Sequence, residues 1–244
     1  MAKLHQLQWQ PLFLSATELS KPLPAWEYHL HTTFADGRDS VDDMAWYAWQ
    51  KGVKRLIYTE HTEPELVRHP DWFRKYVEQI EHVQAQFKDR MSIAIGLEVP
   101  IIDYNGGLQI TPEMLARVEF ILGAVHAYPG YGWNDIDLDP NRAIELEYKG
   151  LLSLIENPLI DAIAHPGGVC TAYNARPFPM ELFEDIVQKA TANGIAIELN
   201  PAYQKPITPY LEICRRHNAL ISLGSNAHRS EALGWALQEV ERLV

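Results

Sequence analysis

The sequence predicts an α/β fold in which a parallel β-sheet, flanked by helices, closes into a barrel. After residue 25, seven short apolar runs alternate with longer amphipathic stretches, and each run is followed by a histidine, carboxylate or amide. Strands that alternate with helices in this way form a parallel sheet. Closure of that sheet gives a barrel of about seven strands. The pattern alone leaves an open doubly wound sheet as the alternative.

The predicted strands are rich in Ile, Val, Leu or aromatic residues and are bounded by Gly, Pro or polar residues. Such runs are typical of strands that are buried within a sheet. They cover residues 26–30, 55–58, 93–97, 120–125, 160–164, 195–199 and 220–223.

Amphipathic stretches between these runs predict the helices. They cover residues 41–50, 72–87, 112–117, 142–155, 180–193 and 209–217. Gly52 and Gly194 stand where a helix commonly ends on a residue with positive φ, which glycine adopts without strain. We therefore expect two of these helices to end at the two glycines.

The length of 244 residues suits one domain with a sizeable core. We predict a single barrel domain over residues 1–244. Its first 25 residues contain Pro11, Pro22 and Pro24 and are expected to form an irregular N-terminal arm.

Charge and cysteine content restrict the function further. A formal net charge of −11 disfavours nucleic acid as a partner, because an acidic surface repels phosphate backbones.

The sequence has no long apolar stretch, so we predict neither a membrane span nor a signal peptide. Cys170 and Cys214 are too few for a disulfide framework and are expected to be buried thiols in a reducing compartment. The predicted location is the cytoplasm.

Histidines concentrate at the carboxyl ends of the predicted strands. Six of the ten histidines lie there, namely His29, His31, His61, His126, His165 and His228. One histidine at a strand end is more often a packed, hydrogen-bonded residue than a ligand, but six at matching positions favour a shared site. The carboxyl-end rim is where β/α barrels carry their active sites.

These side chains are suited to binding metal ions. His29 and His31 are two residues apart in a strand, so they share a face and can reach one ion. Neutral imidazole suits zinc, manganese or iron, and a carboxylate such as Glu98 can bridge two ions. Together with Asp36, the set exceeds what one four-coordinate ion needs. We predict two or three divalent ions.

The polar motifs resemble those of the PHP (polymerase and histidinol phosphatase) family of metal-dependent phosphoesterases. The resemblance runs from about Glu27 to the end of the chain. It rests on His29-Leu30-His31, Ala35-Asp36-Gly37, Thr59-Glu60-His61, Gly96-Leu97-Glu98, Val125-His126, Ala164-His165-Pro166 and Ser225-Asn226-Ala227-His228. It implies a distorted (β/α)7 barrel with a trinuclear metal centre at the carboxyl ends of the strands.

The resemblance also implies which residues bind each ion. The first ion would take His29, His31, Glu98 and Asn226. The second would take Glu98, His126 and His165. The third would take Asp36, His61 and His228.

Within the family, the sequence looks most similar to the histidinol-phosphate phosphatases, and two positions depart from the expected pattern. The last motif of the family usually has aspartate where this chain has Asn226, a neutral and weaker ligand. Pro201-Ala202-Tyr203 stands where that branch tends to have small hydroxyl residues. The first departure bears on the metal centre and the second on the substrate pocket.

The predicted function is hydrolysis of a small phosphate monoester, with histidinol phosphate as the leading substrate. A hydroxide bridging the ions that share Glu98 would attack phosphorus. Glu98, His61 and His228 would act in catalysis through the metal shell. Arg176 and Arg229 lie just beyond two of the motifs and could bind phosphate, although surface arginines are the alternative interpretation.

Three alternatives remain at this point. The substrate could be a nucleotide or another small phosphoester. Because of Asn226, the chain could instead be a weakened or non-catalytic metal-binding module. A carbon–nitrogen hydrolase is disfavoured, because no lysine at a strand end could form a bridging carbamate.

Overall fold

The computed structural model describes residues 6–131, 138–173 and 177–244. One eight-stranded sheet forms the centre of this structure, in the order β1-β8-β7-β6-β5-β4-β3-β2. The strands are β1 (Leu14–Ser15), β2 (Trp26–Glu27), β3 (Arg55–His61), β4 (Ser92–Pro100), β5 (Phe120–Ala124), β6 (Ala162–Ile163), β7 (Ala196–Glu198) and β8 (Leu220–Ser222).

Strands β2 to β8 are parallel to their neighbours, and β1 is antiparallel to β8. The sheet closes through the segments that continue β2 and β8. The Tyr28 amide donates to the Leu223 carbonyl at 3.0 Å, and the Ala227 amide donates to the His29 carbonyl at 3.1 Å. The predicted distorted barrel of seven parallel strands is confirmed.

Helices and one 3₁₀ turn surround the sheet. They are α1 (Val41–Gln50), α2 (Trp72–Phe87), α3 (Pro112–Leu115), α4 (Pro140–Ile155), α5 (Gly168–Tyr173), α6 (Met180–Ala192), α7 (Thr208–Arg216), α8 (Trp235–Glu241) and the 3₁₀ turn Ser230–Ala232. No helix in the described residues is both long enough and apolar enough to cross a bilayer.

Local sequence explains where several helices begin and end. Ser40 accepts a hydrogen bond from the Asp43 amide at the start of α1, and Asp43 completes a capping box. Gly52 and Gly194 have φ of 83° and 70°, as their predicted positions after α1 and α6 require.

Several elements differ from the sequence prediction. The N-terminal arm is not wholly irregular, because β1 lies within it and pairs with β8. The six-residue α5 and the seven-residue α8 were not predicted. Each is about two turns or shorter, too little to display a helical period in the sequence.

The barrel interior holds a small apolar cluster on the amino-terminal side. Ile57, Ala94 and Phe120 belong to this cluster, and side chains of the N-terminal arm pack against it. Arg55, the first residue of β3, stacks over Trp26 with its guanidinium 4.6 Å from the ring centroid. The arm thus covers the amino-terminal end of the barrel and leaves the carboxyl-terminal end for polar side chains.

Candidate metal centre

Strand register brings the strand-end residues into one cluster. His61 on β3 is the register partner of Glu98 on β4. His126 follows β5 by two residues, and His165 follows β6 by two residues. Because parallel strands end at the same rim, these side chains meet at the carboxyl-terminal end of the barrel.

Barrel closure adds the remaining histidines. Leu30 forms a parallel bridge with Ala227, which places His29 and His31 beside Asn226 and His228. The buried Glu27 carboxylate reinforces this junction. It accepts hydrogen bonds from the Ser225 amide at 2.7 Å, the Gly234 amide at 2.8 Å and the His29 amide at 3.3 Å.

Glu98 lies at the centre of the cluster and is completely buried. Its two oxygens face different histidines. Oε1 lies 3.0 Å from Nε2 of His165, 3.1 Å from Nε2 of His126 and 3.3 Å from Nε2 of His29. Oε2 lies 3.2 Å from Nδ1 of His61 and 3.5 Å from Nε2 of His31. One carboxylate is therefore surrounded by five imidazole nitrogens.

The unsatisfied polar atoms of this cluster fit bound cations. Glu98 Oε2 and His61 Nδ1 are buried and have no hydrogen-bond partner. The Nε2 atoms of His29 and His31 face each other at 3.1 Å. Buried polar atoms normally have partners, and imidazole with carboxylate is a donor set for zinc, manganese or iron.

Asp36 and His228 form a more open side of the cluster. Nε2 of His228 lies 3.1 Å from Oδ2 of Asp36, and Nε2 of His61 lies 3.6 Å from Oδ1. The Asp36 side chain is 41% exposed, so solvent reaches this side.

Potential ligand atoms gather in three groups, within 4.8 Å of one another in each. The groups are His29 with His31 and Glu98; His61 with Glu98 and His126; and His31 with Asp36, His61 and His228. His165 and Asn226 lie at their edges, with Asn226 Oδ1 3.0 Å from Nε2 of His31. The structure brings all nine predicted ligands together, and their assignment to individual ions stays a prediction.

Carboxylates lie behind several of these histidines, and the sequence did not assign them that role. Nδ1 of His29 donates to Glu198 at 2.7 Å, and Nδ1 of His126 donates to Glu63. Nδ1 of His31 lies 3.5 Å from Glu60 Oε1. A carboxylate in this position fixes the ring orientation of a metal-binding histidine and raises its basicity. Alternation along a strand indicates only which face a residue occupies, not which ring it contacts.

These contacts perturb the protonation of the site. Burial opposes the charged form of His29, but the carboxylates of Glu198 and Glu98 raise its pKa to about 10. Burial also opposes ionisation of Glu98, yet His126 and His29 hold its pKa well below its usual value. Burial raises the pKa of Glu60 to about 8. For His29 and Glu98, buried imidazoles and carboxylates in close contact therefore stabilise each other's charged forms, whereas burial favours the neutral form of Glu60.

Two site residues have unusual backbone conformations. His165 has φ of 23° and Asn226 has φ of 48°. Non-glycine residues adopt such values mainly where the surroundings enforce them, often at functional sites. The Glu198 carboxylate, which accepts from the His165 amide at 2.8 Å, is one such constraint.

A cleft of about 240 Å³ opens over this cluster. Asp36, His61, His126, His165, Asn226 and His228 line one side of it. Leu66, Val169, Ala172, Tyr173 and Tyr203 line the rest of its wall, together with Val125 and Gly168. A substrate can thus contact the candidate metal ligands without entering the barrel.

Residues 27–202 match the model of the PHP domain. The chain belongs to the PHP family. The predicted membership of a metal-dependent phosphoesterase family is confirmed, and the protein is a hydrolase.

Several relatives of the PHP chain carry phosphatase names. A probable phosphatase of Acetivibrio thermocellus is 29% identical over 217 residues, covering 84% of this chain and 80% of the relative. A histidinol phosphate phosphatase of Lactococcus lactis, solved with zinc, L-histidinol and phosphate, aligns with a TM-score of 0.71 and 20% identity. The alignment covers 90% of this chain and 92% of that one.

A second solved structure is similar in fold to this chain. It is a putative histidinol phosphatase of Listeria monocytogenes, with a TM-score of 0.67 and 16% identity, covering 86% of this chain and 97% of that one. At these identities the two structures support the fold of the chain and leave its substrate to be tested.

The two arginines predicted to bind phosphate have different outcomes. Arg176 lies outside the described residues. Arg229 is exposed at the start of the 3₁₀ turn and is not among the residues that line the cleft. Its role in substrate binding stays a prediction.

Proposed function

We propose that the protein is a metal-dependent phosphatase of small phosphate monoesters, with histidinol phosphate as the first candidate substrate. The observation that carries this proposal is the buried Glu98 carboxylate, with five imidazole nitrogens within 3.5 Å, beneath an open cleft. The phosphatase names of the relatives support it, as does the Lactococcus structure that contains zinc, histidinol and phosphate.

We propose that two or three divalent ions of zinc, manganese or iron bind here. The assignment of ligands is that predicted from the sequence. His29, His31, Glu98 and Asn226 would hold one ion, and Glu98, His126 and His165 a second. Asp36, His61 and His228 would hold the third.

Bound divalent cations would activate water and polarise the phosphoryl group. Glu98 can bridge two ions, because its oxygens face separate sets of histidines. Glu198 holds the His29 ring through its Nδ1, which turns Nε2 toward Glu98. His228 is held in the same way, because its Nδ1 donates to the Asn226 carbonyl and its Nε2 faces Asp36.

Phosphate release tests this proposal directly. The manganese-loaded protein is assayed in parallel on histidinol phosphate and a panel of nucleoside monophosphates. Preference for histidinol phosphate supports the first candidate, whereas preference for a nucleotide keeps the chemistry and changes the substrate. Release from none of these substrates by fully loaded protein contradicts a phosphatase of either kind.

Glu98→Gln is expected to abolish turnover and to lower metal content together, because the bridging charge is lost. Metal content is measured on purified protein in parallel with activity. Glu78→Gln, an exposed change on α2, is the matched control. Full activity in Glu98→Gln would contradict a metal centre that depends on Glu98.

Asn226 favours a second candidate, a weakened metal-binding module. Its neutral Oδ1 lies 3.0 Å from Nε2 of His31, where the family usually has a carboxylate. Asn226→Asp adds a negative charge there and is expected to increase metal affinity. If activity appears only in Asn226→Asp, the natural chain is the weakened module. Equal activity of both proteins contradicts that candidate.

A further inference from the structure

The wall of the cleft that lies away from the metal ligands is apolar and aromatic. Val169, Ala172 and Tyr173 are on α5, and their spacing of three and four residues places them on one helix face. All three line the cleft, together with Leu66 and Tyr203. A whole helix face, rather than one isolated side chain, is therefore apolar toward the cleft.

This wall has a fixed position relative to the metal ligands. A Cβ atom on Gly168 would lie only 2.9 Å from Nδ1 of His165, so α5 packs directly against that ring. From the other side, the buried Glu147 carboxylate accepts hydrogen bonds from the Cys170 amide at 2.6 Å and the Val169 amide at 3.2 Å. A phosphate bound at the metal ligands would thus have its ester group next to α5.

Two tyrosines provide ring surface on this wall. The Tyr203 ring lies 4.9 Å from the His165 ring, centroid to centroid, and its hydroxyl accepts from Asn226 Nδ2 at 3.4 Å. Tyr173 lines the cleft and is 55% exposed, so much of its ring surface is open to a ligand. A ligand ring that covers Tyr173 would remove apolar surface from water and gain aromatic contact.

Charged side chains among the described lining residues all lie on the metal side. Asp36 is the one carboxylate among them, and it faces His61 and His228. Lysine and arginine are absent from that described lining. The charge of the phosphate therefore has its counterpart at the metal ligands, and the rest of the substrate meets an uncharged wall.

We infer that the preferred leaving group is an uncharged alcohol that carries a small aromatic ring, as in benzyl phosphate. This inference rests on the proposed phosphatase function but departs from its first candidate substrate. Histidinol phosphate carries an ammonium group, and the described lining has no carboxylate besides Asp36, on the metal side, to pair with it. The ring would lie against Tyr173 and Tyr203 while the phosphate occupies the metal side.

Hydrolysis of matched substrates tests the inference. The manganese-loaded protein is assayed on benzyl phosphate, glycerol phosphate and histidinol phosphate. All three release alkyl alcohols, so leaving-group chemistry differs little and the comparison reports on recognition. We expect kcat/KM for benzyl phosphate to exceed that for glycerol phosphate by about tenfold, the scale of one buried aromatic contact. Equal values, or a preference for the charged histidinol ester, overturn the inference and leave the phosphatase function standing.

The Tyr173→Ala variant tests whether the aromatic wall recognises the ring of the substrate. Because Tyr173 is half-exposed, its truncation removes little from the core. The ratio of kcat/KM for benzyl phosphate to that for glycerol phosphate is expected to fall at least about threefold, mainly through KM. Tyr47→Ala, at a tyrosine 46% exposed on α1 and away from the cleft, is the control and should keep the ratio. An unchanged ratio in Tyr173→Ala contradicts the inference.

A binding measurement tests the inference independently of the proposed phosphatase function. Benzylphosphonate and methylphosphonate, which are not hydrolysed, are titrated into the manganese-loaded protein by calorimetry. Tighter binding of benzylphosphonate, weakened by Tyr173→Ala, supports the aromatic wall even if no ester is hydrolysed. Equal binding of the two phosphonates overturns the inference, whatever the hydrolysis assay shows.

Discussion

Carboxylates behind the histidine rings orient several of the candidate metal ligands around Glu98. Glu198 is the clearest case, because one of its oxygens accepts from Nδ1 of His29 and the other from the His165 amide. One buried side chain thus orients two candidate ligands. Residues of this kind tune a metal site without contacting the metal.

Glu198→Gln is expected to weaken metal binding by about 10- to 100-fold, the effect usual for changes behind the ligands. The amide keeps the size of the side chain but cannot accept at both oxygens. Affinity is measured by competition with a coloured chelator. Glu181→Gln, at an exposed position in the first turn of α6, is the control. Wild-type affinity in Glu198→Gln would show that His29 is held by other contacts.

At the scale of the element, the short helix α5 contributes more of the described cleft wall than any long helix does. The long helices α1 and α2 have the bounds that the sequence predicts, and they lie outside the barrel. In contrast, α5 has six residues and depends on Glu147 of α4 for two of its amide hydrogen bonds. An element this short is stabilised by its packing rather than by its own propensity.

Glu147→Gln is expected to lower the free energy of unfolding by about 1–3 kcal/mol, because buried amides lose a charged acceptor. Urea denaturation measures the change. Glu145→Gln, on the same helix but exposed, is the control and should have a smaller effect. A loss no larger than that of the control would mean that the amides of α5 find other acceptors.

At the scale of the whole molecule, the two ends of the barrel hold different kinds of side chain. The N-terminal arm and an apolar cluster occupy the amino-terminal end, and the buried histidines and carboxylates occupy the carboxyl-terminal end. Strands from all parts of the chain meet at the second end, so a ligand bound there links distant segments. Metal binding should therefore stabilise the entire fold.

Removal of metal is expected to lower Tm. An ion present at about 100 times its Kd stabilises the folded state by about 2.7 kcal/mol, which corresponds to roughly 5–10 °C for a protein of this size. Thermal unfolding is followed with and without a chelator, and manganese or zinc is then added back. A Tm that the chelator leaves unchanged would contradict stabilisation of the fold by bound metal.

Much of this architecture could be predicted from the sequence. The seven parallel strands and the bounds of α1 and α2 follow from apolar periodicity and local caps, which act over a few residues. His29, His61 and Glu98 could be identified as candidate ligands because each stands at the end of an apolar run. The PHP motifs in order along the chain then indicated the family, which the match over residues 27–202 confirms.

Only the tertiary structure decided how the strand ends meet. Closure between the segments that follow β2 and β8 places Asn226 beside His31. The family resemblance implied that both bind one ion, but no local pattern in the sequence encodes their contact. The same holds for Glu198 behind His29 and for Tyr203 against His165, pairs that are 169 and 38 residues apart. Local sequence sets which face of an element a side chain occupies. Contacts across the barrel depend on the register and closure of the whole sheet.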